Sequence, residues 1–540
     1  MMNLRPWLAV LLLATGLTAP LALQVSAQER ATQERPAQDR TAQDRADRPA
    51  AQSTQAEPRG GRGNAQREQG GSVLRLLPPD ATNEKTITVG GRTLDYTATA
   101  GTFPLFDQTG EQSAAIFYTA YVAQNPDGAP RPLTFVFNGG PGAASAYLHL
   151  GMVGPRILPL DEDGRGAATA QLIDNPDTWL SFTDLVMIDP IGTGWSRAAR
   201  SDGENAFRNV QADAQSIAKV IALYVNRNNR LASPKYLLGE SYGGFRAAKV
   251  ARALQREQSI SVSGIVMLSP LMDGSFVFGS GRSALTAALQ FPSYAAAELE
   301  RRNAFTPQAM ADVEHFALTD YLTTLAGKPP AGDAARAFYE KIAEMTGLPI
   351  DVVTDTRGFI GEAAAKIRRK GGQKLLSIYD GRIAVDDPFP ESRGRRVDPL
   401  LDGTTRAYGS AMVAYAREEL GFRTDMTYAL LAPMRWDWGE GGGGRLGASV
   451  DDDLRVLLTL DPSFRLLVAH GYSDLVTPYS ASRYVLDHLP VGGPDRVQLR
   501  VYRGGHMVYL DEASRHAFTV DARTFYEQGN ESQDRPSVNP

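Results

Sequence analysis

Residues 236–245 read YLLGESYGGF, and the fold is decided there. An apolar run, Tyr236–Leu238, leads into Gly239-Glu240-Ser241-Tyr242-Gly243, and a helical pattern over Phe245–Leu254 follows. Strand, tight turn and helix in that order are the setting of a nucleophile elbow. The serine backbone is strained there, and flanking glycines avoid clashes. The bare Gly-x-Ser-x-Gly motif is weak in a chain with 52 glycines among 540 residues. Its setting gives it weight.

Outward from the elbow, short apolar runs alternate with helical stretches, the pattern of a doubly wound, mostly parallel α/β sheet. The runs are Leu133–Phe137, Leu185–Ile188, Tyr236–Leu238, Ile265–Leu268, Arg465–Ala469 and Val497–Tyr502. Between them, Phe207, Val210, Ala214, Ile217, Ile221 and Tyr224 keep the spacing of one helix face. Upstream, Thr86–Val89 and Thr93–Thr97 flank Gly90-Gly91 as a hairpin, and Ala115–Tyr121 reads as the next strand. From Gly274 to Ala432 helical patterns replace strands. In one of them Asp333 is placed to cap a helix that Gly347 and Pro349 end. This is an α/β-hydrolase core, residues 72–273 and 433–527, interrupted by an inserted helical cap over 274–432.

A serine nucleophile needs a general base, and the base needs an orienting acid. In this architecture they follow in the order Ser, Asp, His, each just past a strand. Arg465–Ala469 runs into His470-Gly471-Tyr472-Ser473-Asp474, and Val497–Tyr502 runs into Gly504-Gly505-His506. His470 precedes the aspartate, the wrong order for the base; His315, His488 and His516 lie in helical patterns. The catalytic set is therefore Ser241, Asp474 and His506. Asn138-Gly139-Gly140-Pro141-Gly142 follows the first core strand, where glycines let backbone N–H groups approach a substrate carbonyl. One oxyanion donor is expected from that run, and the N–H of Tyr242 would be the second.

The ends are different in kind. Arg5, the apolar run Trp7–Leu23 broken by Gly16 and Pro20, and the small residues Val25-Ser26-Ala27 read as a signal peptide over 1–27. The run is too short and broken for a membrane anchor. Residues 28–71 repeat Gln-Glu-Arg and Gln-Asp-Arg with almost no large apolar side chains, the composition of a disordered linker. Residues 528–540 read as a loose polar tail. The expected product is a soluble protein of a bacterial periplasm or the medium. The net charge, 56 − 61 = −5, points away from nucleic acid. The absence of cysteine excludes a thiol nucleophile and any cysteine-bound metal.

Asn138–Gly142, Asn175-Pro176 with Trp179, Asp189-Pro190-Ile191-Gly192-Thr193-Gly194-Trp195-Ser196, Gly239–Gly244 and Gly505-His506-Met507-Val508 are similar, in order, to the signature segments of the serine carboxypeptidases. The chain thus resembles a bacterial-type member of that family, over about residues 130–270 and 465–515. The resemblance implies Gly140 and Tyr242 as the oxyanion donors, and no metal or organic cofactor. It also implies how a terminal carboxylate is held: by the Asn of Asn-Gly-Gly-Pro-Gly, a Trp two residues earlier, the Glu before the nucleophile and a second Glu. Asn138 and Glu240 match, whereas Val136 and Met152 stand where the Trp and the second Glu would be, and Ala143 replaces the usual Cys. Glu240 then lacks a like-charged neighbour, and burial alone must hold any proton on it. The expectation is activity that rises through the histidine range and stays high at neutral pH. The expected function is removal of C-terminal residues from peptides through an acyl-enzyme on Ser241. The alternative is an esterase or acyltransferase using the same triad on small esters.

Overall fold

Alternation along the central strands builds the core. In Leu133–Phe137 (β4), Leu133, Phe135 and Phe137 belong to one buried cluster and Val136 to another. The same split separates Leu237 from Leu238, Ile265 from Val266, and Leu466 from Leu467. Each strand is apolar on both faces, so both faces must be covered, as parallel sheets require.

The computed structural model describes residues 72–125, 128, 130–164, 170–370, 374–391, 397–439 and 443–534. The expected signal peptide and the 28–71 linker lie outside them. Ala81–Val89 (β1), Arg92–Phe106 (β2) and Gln112–Ala123 (β3) form an antiparallel meander, and the Gly90-Gly91 turn joins the first two at the Val89–Arg92 pair. Asp184–Ile188 (β5), Lys235–Glu240 (β6), Gly264–Leu268 (β7), Arg465–Gly471 (β8) and Val497–Tyr502 (β9) complete the sheet in the order β1-β2-β3-β5-β4-β6-β7-β8-β9. β5, β4, β6, β7, β8 and β9 run parallel. Arg197–Ala198 adds a tenth short strand against β3.

Val210–Arg227 (α1) and Tyr242–Glu257 (α2) cover the face of Leu237 and Ile265. Phe518, Phe525 and Tyr526 of Glu512–Asp534 lie in the cluster on the opposite face. Phe207 sits in the 3-10 turn Gly203–Phe207, two residues before the cap Asn209, so the expected helix face begins at Val210.

The segment between β7 and β8 is largely helical. Ala284–Arg301, Pro307–Phe316 and Gly332–Thr346 share a third cluster of their own, around Phe291, Tyr321 and Ile342. Three details depart from expectation. Gly332–Thr346 is entered from Ala331, so Asp333 lies within the first turn rather than capping it. A small hairpin, Lys374–Leu376 with Ala384–Asp386, also interrupts the helices. The C-terminal helix, moreover, continues past Gln528 to Asp534, so the tail expected from 528 is helical over its first residues. Gln528 Oε1 accepts from Arg465 Nη2 at 2.6 Å, and buried Gly529 lies against Tyr236, which holds that turn to the sheet. Among the described residues no helix is long and apolar enough to cross a membrane.

Candidate active site

Ser241 sits between β6 and α2 with φ 62° and ψ −125°, a strained conformation for a residue with a Cβ. Two loops close on it. A Cβ on Gly243 would lie 2.6 Å from the Phe137 carbonyl, and one on Gly139 would lie 2.6 Å from Tyr242 N. The glycines therefore let the Asn138–Gly142 loop press against the first turn of α2. Tyr242 begins that helix, so its N–H has no partner within the helix. Gly140, Tyr242 and Ser241 line one cavity of about 150 Å³, with His506 and Glu240 on other parts of the wall.

The histidine and the aspartate come from the ends of β9 and β8. His506 Nδ1 lies 2.9 Å from Asp474 Oδ2, and both side chains are buried. Asp474 is fully engaged: Oδ1 accepts from Val476 N at 2.8 Å and Thr477 N at 3.0 Å, while Oδ2 also lies 2.8 Å from Thr477 Oγ1. With Nδ1–H given to the carboxylate, Nε2 is left as the acceptor. Burial works against charge on both residues. Even so, their mutual attraction and hydrogen bond hold His506 above and Asp474 below the usual range. No hydrogen bond joins Ser241 to His506 in this structure; in free enzymes such contacts often form only with substrate. His470 lies buried outside the cavity, its Nε2 2.8 Å from Ser482 Oγ. Burial pushes it down to about 4, so it stays neutral.

The inserted segment reaches into this pair. His506 N donates to the Tyr379 carbonyl at 2.6 Å, Leu475 N to Ile378 at 3.1 Å, and Gly381 N to Ser473 at 2.9 Å. The Tyr379 ring stands edge-on to the imidazole at 5.2 Å. Nothing in the sequence marks Tyr379, because backbone pairing between distant loops leaves no local pattern.

Glu240 closes the other side. Asn138 Nδ2 donates to Glu240 Oε2 at 2.6 Å, and Tyr509 Oη donates to the same oxygen at 3.2 Å. Burial pushes Glu240 up to about 7, although nearby His506, Tyr509 and Asn138 each pull it down. Burial therefore raises Glu240 with no second glutamate beside it, as the reading of Met152 requires, and the charge of Asp474 adds a smaller push in the same direction. Val136 and Met152 are fully buried in the core cluster. Tyr509 was not singled out from the sequence; it lies in the 3-10 turn Val508–Leu510, and its hydroxyl meets Glu240 across a separation of 269 residues. Among the described residues no group of three or more His, Asp or Glu is placed to hold a metal ion.

Residues 98–281 match the family model described as serine carboxypeptidase. Carboxypeptidase Sxa2 of Schizosaccharomyces pombe is 29% identical over 145 residues, 26% of this chain and 26% of the relative. The pheromone-processing carboxypeptidase Kex1 of Yarrowia lipolytica is 28% identical over 146 residues, 26% of this chain and 22% of the relative. The matches thus span about a quarter of these curated relatives. The solved structure of Kex1, a prohormone-processing carboxypeptidase from Saccharomyces cerevisiae, superposes with a TM-score of 0.50 at 16% identity. It covers 86% of this chain and 95% of that one, and shows the α/β-hydrolase fold.

Proposed function

We propose that this chain, which belongs to the serine carboxypeptidase family, is a hydrolase that removes C-terminal residues from peptides through an acyl-enzyme on Ser241. The observation that carries the reading is the cavity itself: Ser241, the His506 ring paired with Asp474, and Glu240 paired with Asn138 share its wall. Ser241 Oγ attacks the last peptide carbonyl while His506 Nε2 takes its proton. The oxygen, now negative, is received by the N–H groups of Gly140 and Tyr242. His506 then returns the proton to the leaving amine, and water repeats the cycle on the ester. Glu240 carrying its proton, with Asn138 beside it, offers neutral polar groups to a terminal carboxylate.

Export belongs to the same proposal. The Trp7–Leu23 run would be removed after Ala27, releasing the enzyme to a periplasm or the medium. Mass spectrometry of a mixed peptide pool after incubation tests the activity. Ladders shortened from the C-terminus are expected; untouched peptides beside a hydrolysed ester would replace this reading with an esterase or acyltransferase.

A further inference from the structure

A Gly-Gly-Pro-Gly loop has little rigidity of its own. Gly140 adopts φ +102°, and glycines in such turns keep wide conformational freedom unless something outside holds them. An oxyanion donor must nevertheless point one way before substrate arrives, since its value lies in needing no reorganisation. The loop therefore needs a tether.

Arg246 lies five residues after Ser241 on α2 and is 1% exposed. Its Nε donates to Asp213 Oδ2 of α1 at 2.7 Å. Nη1 donates to the Asn138 carbonyl, and Nη2 to the Pro141 carbonyl at 3.3 Å. The guanidinium carbon stands 4.9 Å from the centre of the Tyr242 ring. One planar group thus touches the aspartate that aims it, the carbonyls on both sides of Gly139-Gly140, and the residue expected to give the second oxyanion donor.

We propose that Arg246 is a positioning residue that sets the direction of the Gly140 N–H by fixing the carbonyls that flank it. In a trans peptide the N–H points opposite to the C=O. The Gly139 carbonyl accepts from Ala143 N at 3.0 Å, which turns the Gly140 N–H the other way. Arg246 holds the neighbouring carbonyls at 138 and 141, so that this peptide does not rotate. The same bond anchors Asn138, whose Nδ2 donates to Glu240 and whose Oδ1 accepts from Leu148 N at 3.0 Å. Packing alone does not account for the pair, because a buried Arg–Asp couple is often no more stable than apolar residues of similar volume. What apolar residues cannot supply is a fork of donors aimed at two carbonyls.

The inference rests on the reading of Ser241 as nucleophile, and its test separates the two. The double variant Arg246→Met/Asp213→Asn removes both charges and leaves none buried alone; Arg246→Lys keeps the charge without the fork. Each is followed by thermal melting, by the rate at which a fluorophosphonate labels Ser241, and by kcat and KM on an activated ester per labelled site. The expected result for a folded double variant is a fall of about 10²-fold in labelling rate and kcat, with KM within about threefold. Arg246→Lys is expected to recover part of it, because one ammonium reaches one carbonyl.

Wild-type labelling rate and kcat in the folded double variant would overturn the proposal. So would a loss confined to the fraction of sites that label, which is what a merely structural role predicts. Should the double variant fail to fold, Arg246→Lys decides alone, and full wild-type rates there would overturn it. Absence of labelling at Ser241 in the wild type would instead bring down the nucleophile reading itself.

Discussion

Two buried carboxylates flank the serine, and they have opposite fates. At the end of β8, Asp474 is wholly buried yet held below the usual carboxylate range. At the end of β6, Glu240 is almost as buried and is pushed up to about 7. Burial raises both, so burial does not distinguish them. The partners do. Asp474 faces a histidine that can become a cation, two backbone N–H groups and a hydroxyl, all of which favour the charged form. Glu240's hydrogen-bond partners are neutral, an amide and a phenol, and too few to offset desolvation. One end of the cavity is built to keep a charge and the other to shed one, which is how a site separates its roles.

Exchanging each carboxylate for its amide tests that contrast with the largest effect. In Asp474→Asn the oxygen stays with the N–H groups of Val476 and Thr477, so the new NH2 turns toward His506. Nδ1 must then accept, Nε2 carries the proton, and the ring cannot take one from Ser241. A loss of about ten-thousandfold in kcat is expected on peptide and ester alike. Glu240→Gln copies the uncharged form already present, and at pH 6 it should change kcat/KM by no more than about threefold. Comparable losses in both variants, measured on one ester and one peptide, would show that the two carboxylates are not divided in this way.

Residues whose placement follows from chain position were legible in the sequence. Ser241, Asp474 and His506 each follow a strand whose apolar run is written plainly, and the sheet brings strand ends together whatever lies between. The state of Glu240 was not legible. It depends on Tyr509 arriving from another loop and on burial, neither of which has a local spacing. Tyr379 and Arg246 were missed for the same reason. Arg246 sits on a helix face where a charged residue ordinarily meets water, and only tertiary packing reveals that this one does not.

The pH profile gives the next effect in size. His506 is raised, so its neutral, basic form is lost as pH falls through a value above the ordinary 6.5. On the proposed carboxypeptidase reading Glu240 acts in the opposite sense for binding: as pH rises through about 7 it would ionise and repel a terminal carboxylate. A blocked peptide amide should therefore show kcat/KM rising to a plateau. The free acid should show a narrow bell, with a fall of about tenfold on its alkaline limb between pH 6.5 and 8.5. The two groups interact, so the limbs belong to the pair. Glu240→Gln assigns them, since it should abolish the alkaline fall and leave the acid limb. A bell for both substrates, or a plateau for both, breaks the division of roles.

Tyr509→Phe gives the smallest change and the finest test of why Glu240 differs from Asp474. The Tyr509 hydroxyl donates to Glu240 Oε2 at 3.2 Å, and like any donor to a carboxylate it favours the ionised form. Removing it leaves Asn138 as the remaining hydrogen-bond donor to Glu240. Burial, already the largest influence, then acts against less opposition, so Glu240 keeps its proton to higher pH. The alkaline limb for the free acid should move upward by a few tenths of a pH unit, roughly what one long neutral hydrogen bond supplies. The acid limb should stay where His506 and Asp474 set it. At pH 8 the variant should therefore take the free acid faster than the wild type by about twofold, while the amide is unchanged. Overpacking is not a concern, because only an oxygen is removed. A downward move of the alkaline limb would mean that the hydroxyl holds the proton on Glu240 rather than draws it off, and neutral partners would then not explain why this carboxylate parts company with Asp474.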